Sequence, residues 1–311
     1  MSLPLLLLFG CESSSIVPGT TVTCWLEHDG LVRYYLLRVP AEHPGRTVPV
    51  VVALHGLGSE PESIEGMSGL SELADKEGFM AIYPAGIEIT QTPDCPKGQP
   101  TTLRGWNAGG CCAGPAEDDI DDVGFILRVL EEVDKKVAID FHRVYAVGMS
   151  NGGFMASRLA CDVPEIFAAV ASVEGGLSTP CDPDVPVSIL YVHGTEDPAV
   201  PYDGKPNVAV RILQECGILP EFEPIEDTVA TWVRQQGCEE EPVREQTVGS
   251  VLIRTWTSCD DDVCVELCTV TGGGHTWPGS QDRWSYPEAT GPCVDFDASA
   301  YIWQFFNKFQ R

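Results

Sequence analysis

Short β-branched runs recur at wide intervals along the chain with helix-period segments between them, and this alternation restricts the fold more than any other feature. Val48 to Leu54 is dense in valine, as in a strand buried on both faces. Phe79 to Tyr83, Arg143 to Val147, Val187 to Val192 and Val265 to Val270 repeat the pattern. Val123, Ile126, Leu130, Val133 and Val137 fall at steps of three and four, which marks one face of a helix over Asp122 to Val137. Asp227 to Gln236 and Asp297 to Phe306 also read as helices, and the Pro- and Gly-rich stretch from Asp203 to Pro224 reads as a long loop or cap. Strands alternating with helices predict an α/β fold with a mostly parallel central sheet and helices on both faces. No internal repeat or linker divides the chain after residue 18, so a single domain over 19–311 is expected.

Composition narrows the partners. With 46 acidic against 19 basic side chains the net charge is −27, and such a surface repels phosphate backbones and anionic headgroups. Nucleic acid is therefore excluded as an expected partner. No apolar run reaches the ~18–20 residues of a spanning helix. The first 18 residues read as a leader: an apolar stretch ends in Leu8-Phe9-Gly10-Cys11, and a polar spacer with three serines follows. This resembles a bacterial lipoprotein signal, although no Lys or Arg precedes the apolar run and Phe9 is bulky for its place. Cys11 is thus a candidate lipid anchor, and the alternative is a buried N-terminal strand. Setting Cys11 aside from the 13 cysteines leaves 12, which predicts six disulfides in an oxidising compartment. The adjacent Cys111 and Cys112 are expected to bond to different partners. There is no Cys-x-x-Cys pair, and the spacing of Cys259, Cys264 and Cys268 does not match a zinc site. The expected location is secreted or lipid-anchored at a bacterial cell envelope.

The chemistry centres on Gly148-Met149-Ser150-Asn151-Gly152-Gly153, between the strand ending at Val147 and a helical stretch from Phe154 to Leu159. That is the context of a nucleophile elbow, where a sharp strand-to-helix turn lifts the serine hydroxyl above the sheet. A serine needs a base, and the base needs an orienting carboxylate. Asp197 lies just past the strand that ends near Val192, and His275 follows three glycines past the last strand. The order Ser150, Asp197, His275 is the α/β-hydrolase order. Glu196 is the rival acid. His193 precedes the acid and reads as a strand-end structural residue; His28, His43 and His142 sit in polar, surface-like contexts. His55-Gly56-Leu57 ends the first clear strand, where half of an oxyanion hole belongs, so the amides of Leu57 and Asn151 are assigned to that hole.

Six segments occur in order: Leu54-His55-Gly56, Trp106-Asn107-Ala108-Gly109, Asp121-Asp122-Val123-Gly124-Phe125, the Ser150 elbow, His193-Gly194-Thr195-Glu196-Asp197 with Val200-Pro201-Tyr202, and Gly274-His275-Thr276-Trp277-Pro278-Gly279. Together they resemble the secreted serine esterases that group feruloyl esterases with polyhydroxybutyrate-depolymerase-like proteins, over roughly residues 33 to 308. The resemblance implies an α/β-hydrolase fold, a Ser150, Asp197 and His275 triad, carboxylic ester hydrolysis, and no metal or organic cofactor. It would also put Trp106, Asn107 and Trp277 near the acyl or sugar part of the substrate; packing of both tryptophans in the interior is the alternative. Asp121 and Asp122 read as helix N-terminal charges that hold the loop after Cys112. Leu57 stands where depolymerase-like members often carry cysteine, and no polymer-binding module follows. Both departures favour feruloyl or acetyl esters of plant polysaccharide over solid polyester, with a monomer acting on them. A peptidase of this fold would need room for a gating domain, and a binding protein would be expected to lack a triad member.

Overall fold

A computed structural model of the chain describes residues 10–11, 16–42, 47–91, 101–280 and 295–311. His43 and most of the leader, residues 1–9 and 12–15, lie outside them. The chain enters through β1 (Gly10–Cys11), β2 (Thr21–His28), β3 (Leu31–Arg38) and β4 (Val48–Leu54), followed by α1 (Pro61–Ser68) and α2 (Leu70–Glu77). β5 (Met80–Pro84) comes next, then a separate hairpin of β6 (Ile87–Gln91) and β7 (Thr101–Gly105). After α3 (Ala113–Glu117) and α4 (Asp122–Asp134), β8 (Ile139–Met149) leads into α5 (Asn151–Asp162). β9 (Ala169–Val173), β10 (Ser188–Gly194), α6 (Val208–Glu215), α7 (Ile225–Gln235), β11 (Arg244–Val248), β12 (Val251–Trp256), β13 (Val265–Val270) and α8 (Ala298–Phe306) complete it.

The main sheet has 11 strands in the order β1-β2-β3-β5-β4-β8-β9-β10-β13-β12-β11. Its centre, from β5 through β4, β8, β9 and β10 to β13, is parallel, and antiparallel strands extend both edges. All seven residues of β4 are buried, as its valine run predicts. Alternate side chains feed opposite layers: Val50, Val52 and Leu54 pack with α4, α5 and α7, whereas Val51 and Ala53 pack with α1, α2 and α8. Each fully buried valine or leucine contributes about 1.5–3 kcal/mol, so both layers are firmly fixed to the sheet. The stretch read as a loop from Asp203 to Pro224 contains α6. Among the described residues no helix is long and apolar enough to cross a membrane.

The cysteine expectations need correction. Cys11 is bonded to Cys24, which consumes the thiol that a lipid anchor would use. Cys111 and Cys112 are bonded to each other. Both lie in the core layer under α4 and α5, whereas the free thiols of Cys264 and Cys268 lie mainly within the layer on the other sheet face, out of their reach. Cys161–Cys181 and Cys238–Cys259 are also paired, and Cys216 is disulfide-bonded. Two free thiols break the expected six-bridge scheme. Cys264 lies just before β13 and Cys268 within it, and four residues of extended chain span about 13 Å, beyond disulfide reach. Burial pushes the Cys264 thiol up to about 12, so it stays protonated. The acidic runs Glu239–Glu241 and Asp260–Asp262 are exposed.

Candidate active site

Ser150 sits at the joint between β8 and α5 with φ 57° and ψ −123°. For a residue with a Cβ this conformation costs roughly 1–3 kcal/mol, so the surroundings must hold it. The Ser150 amide donates to Val173 O at 2.9 Å, and the Phe154 amide donates to Ser150 O at 3.0 Å. The flanking glycines are sterically required. A Cβ on Gly148 would lie 2.1 Å from Gly152 O, and one on Gly152 would lie 2.1 Å from Leu54 O. Strand, turn and helix therefore approach backbone to backbone, as the elbow reading expects.

Asp197 and His275, the expected acid and base, arrive on two loops latched together. His275 Nδ1 donates to Asp197 Oδ2 at 2.7 Å, and both side chains are buried. The Glu196 amide donates to Gly273 O at 2.8 Å, the Thr195 amide to Val270 O at 3.0 Å, and the Gly272 amide to Thr195 Oγ1 at 2.9 Å. A Cβ on Gly194 would meet Gly273 O at 2.2 Å, which explains why glycine faces glycine here. The other Asp197 oxygen accepts from the Ala199 and Val200 amides at 2.7 and 2.9 Å. Burial by itself would raise the Asp197 carboxyl, but His275 beside it and the N–H donors of His193 and His275 hold it well below the carboxylate range. Glu196, the rival acid, points to solvent.

On the opposite flank of Ser150 lies the loop after β4. A Cβ on Gly56 would stand 3.4 Å from Ser150 Cβ, so the neighbouring Leu57 amide is close to the elbow. The Leu57 amide donates to no other described residue. Asn151 is the first residue of α5, where helix amides lack intrahelical acceptors. Its side chain clasps the Trp106 backbone, Oδ1 accepting from the amide at 2.8 Å and Nδ2 donating to the carbonyl at 3.1 Å. His55 accepts from the Gly86 amide at Nε2 and donates from Nδ1 to Gly56 O. Burial pushes its imidazole down to about 3, so it stays neutral. Asp122 accepts from the Asn107 amide at 2.7 Å and pairs with Arg33 at 2.6 Å, while Arg33 lies 3.6 Å over the Phe125 ring. Asp121 caps α4 by accepting from the Gly124 amide at 2.9 Å. Both aspartates stand at the start of α4, and Asp122 also holds the loop that carries Asn107.

The three residues expected to bind substrate are buried. Trp106, Asn107 and Trp277 are 0%, 3% and 2% exposed. Trp106 donates to His55 O, Asn107 to Ile120 O, and Trp277 to Ser299 Oγ. These side chains brace loops and leave almost no surface for a substrate. His28 and His142 bond to Asp121 Oδ2 and Arg311 O away from the elbow. The sequence reading missed Glu174, a buried carboxylate at the end of β9 whose oxygens accept from the Gly194 amide. Its only signal is a charged residue directly after the small-residue stretch Ala168–Val173. Glu174, His193 and Asp197 bring ligand-type atoms within 4.8 Å of one another, but Asp197 and His193 spend them on His275 and on backbone partners.

Residues 33–181 match the family model described as Esterase PHB depolymerase. The "Putative esterase NocK" of Nocardia uniformis subsp. tsuyamanensis is 33% identical over 283 residues, covering 86% of this chain and 77% of that protein. The chain belongs to the PHB depolymerase esterase family. The esterase is also 28% identical to feruloyl esterase B of Piromyces equi over 264 residues, but spans only 44% of that relative's length. Poly(3-hydroxyalkanoate) depolymerase C of Paucimonas lemoignei is 25% identical over 96% of this chain and 72% of its own. Among solved structures, an acetyl xylan esterase from Aspergillus awamori shares the fold, with a TM-score of 0.56 at 16% identity, covering 88% of this chain and 94% of that one. The esterase thus has the α/β-hydrolase fold that the resemblance implies, and its mostly parallel sheet is the one that the alternation of strands and helices predicts.

Proposed function

We propose that the protein is an exported serine esterase that forms an acyl-enzyme at Ser150. The observation that carries the reading is the 2.7 Å hydrogen bond from His275 to Asp197, on loops latched beside a serine held at a strained strand-to-helix turn. In this mechanism His275 takes the Ser150 proton as the hydroxyl attacks the ester carbonyl. Asp197 orients the imidazole and stabilises its charged form. The Leu57 and Asn151 amides donate to the developing oxyanion. The alcohol leaves with the proton from His275, and water then releases the acid by the reverse route.

For the substrate we favour feruloyl or acetyl esters of plant polysaccharide, supported by relatives named as feruloyl and acetylxylan esterases. A second reading, hydroxyalkanoate oligomers, is favoured by one surface. The α6 helix is tied to the Asp197 loop by Asn207 Nδ2 donating to Pro198 O at 2.7 Å, and it exposes Val208 and Ile212. Export fits the paired cysteines, which persist in oxidising compartments. The enzyme acts as a monomer in this reading. Ser150→Ala should lower 4-nitrophenyl acetate turnover by about four to six orders of magnitude; retained turnover would sink the assignment. Methyl ferulate, acetylated xylan and hydroxybutyrate oligomers, assayed side by side, separate the substrate classes.

A further inference from the structure

A second buried carboxylate stands behind Asp197. Glu174 is 1% exposed and has φ 48°, a left-handed conformation that costs a residue with a Cβ roughly 1–3 kcal/mol. Its amide donates to Val192 O at 2.9 Å, and its two carboxylate oxygens accept from the Gly194 amide at 3.1 and 3.0 Å. One side chain, His193, lies between the two carboxylates. Its Nε2 is 2.8 Å from Val200 O and 3.4 Å from both Glu174 Oε2 and Asp197 Oδ2. A carbonyl and two carboxylates can only accept, so Nε2 carries a proton and donates.

Other titratable groups stand around this cluster. His275 lies beyond Asp197. The Tyr202 ring meets His193 edge-on at 5.8 Å, and its hydroxyl is engaged with Glu226 and Thr269. Glu226 is in turn paired with Arg254. If His193 served only to brace the strand end, Val200 O would suffice as its acceptor. The fold adds a carboxylate instead, in a dry interior where an extra charge is costly.

We propose that Glu174 is a positioning residue of the ester-hydrolysing site, acting through His193 to orient Asp197 and adding negative charge that favours the protonated form of His275. The proposal rests on the reading of Ser150, His275 and Asp197 as the reacting set. A nearby carboxylate stabilises an imidazolium, so its removal makes the base harder to protonate. Glu174→Gln keeps the side-chain size and removes the charge. The acid limb of its kcat/KM profile on 4-nitrophenyl acetate should therefore move to lower pH by about half to one unit. Plateau kcat should fall about 3- to 30-fold with KM unchanged, the split expected when only the transition state is affected.

His193 supplies an independent arm. His193→Gln keeps an N–H donor and should recover most of the kcat lost in His193→Phe. Circular dichroism and melting curves confirm that each variant is folded; if Glu174→Gln is not, the two His193 variants decide. An unmoved acid limb in folded Glu174→Gln, or equal kcat in the two His193 variants, overturns the proposal and leaves a bracing role alone. Ser150→Ala separates the two levels: an active Ser150→Ala removes the triad reading, whereas an inactive one beside an unmoved Glu174→Gln profile removes only this inference.

Discussion

The two flanks of Ser150 are built from different materials. The flank that carries Asp197 and His275 is an ionic cluster, with carboxylates and imidazoles bonded to one another at the ends of β9, β10 and β13. The flank that carries Leu57 and Asn151 is a neutral lattice next to the elbow. There His55 is locked uncharged, and an asparagine amide clasps the Trp106 backbone. The charges nearest to it come in opposite pairs, Arg33 with Asp122 and Arg104 with Glu88. The difference matches what each flank must do. In the proposed mechanism one flank changes its charge during the reaction, whereas the other has only to hold two backbone amides still while charge develops in front of them.

Breaking the ionic flank should cost the most. Asp197→Asn keeps the shape but permits the wrong imidazole tautomer at His275, and kcat on 4-nitrophenyl acetate should fall by about four orders of magnitude. A loss below tenfold would show that the acid lies elsewhere. The neutral flank should respond less. Asn151→Ala leaves the backbone amide in the chain but releases the clasp on Trp106, so the amide is misplaced rather than deleted. Deleting a donor costs about 10²–10³ in kcat, and we expect about 10- to 100-fold here, with KM nearly constant. If KM rose with kcat unchanged, Asn151 would act in binding and the lattice account would fail.

The two flanks should also come apart in acid. His55 is held neutral at about 3, far below its unfolded value near ~6.5, so across that window the unfolded chain binds the extra proton. Its contribution is complete above about pH 6.5 and declines as pH falls toward 3. Between pH 6.5 and 5 the loss amounts to about 2 kcal/mol, at ~1.36 kcal/mol per unit. Asp197 has a depressed folded value, so its contribution is complete above ~3.9 and is lost only below that. Urea unfolding at pH 6.5 and 5 should show the first loss in the wild type and a smaller one in His55→Gln. Equal slopes in the two proteins would remove His55 as the acid-sensitive group.

How far the sequence could be read follows the same division. The elbow and the proposed acid and base stand out in the sequence because each needs a fixed residue type at a fixed place in chain order, and Gly148, Gly152 and Gly194 are demanded by backbone contacts. The central strands were legible because burial on both faces leaves an unbroken apolar run. β11, mostly exposed, and β9, with two alanines in five residues, carry no such run and escaped notice. Glu174 escaped because its partners Gly194 and His193 lie on the neighbouring strand, about 20 residues later, and only the parallel pairing of β9 with β10 brings them together. The cysteine pairing failed for a related reason. Parity counts thiols but cannot tell which face of the sheet each one enters.

Residue type alone also pointed Trp277 at the substrate, and the smallest predicted effect tests that point. An aromatic ring two residues after the base has the right chemistry to stack on a feruloyl group. The structure turns it inward, where Nε1 donates to Ser299 Oγ at 3.0 Å and Ser299 Oγ in turn donates to Ser68 O, tying the base-bearing loop to α8 and α1. Trp277→Phe removes one buried donor and should lower stability by about 1–2 kcal/mol in urea unfolding. As a brace, the residue treats all substrates alike, so kcat/KM for methyl ferulate and for 4-nitrophenyl acetate should change by the same small factor. A rise in KM confined to the aromatic acyl ester would return Trp277 to the substrate, and the neutral flank would then no longer be the only one that works by packing.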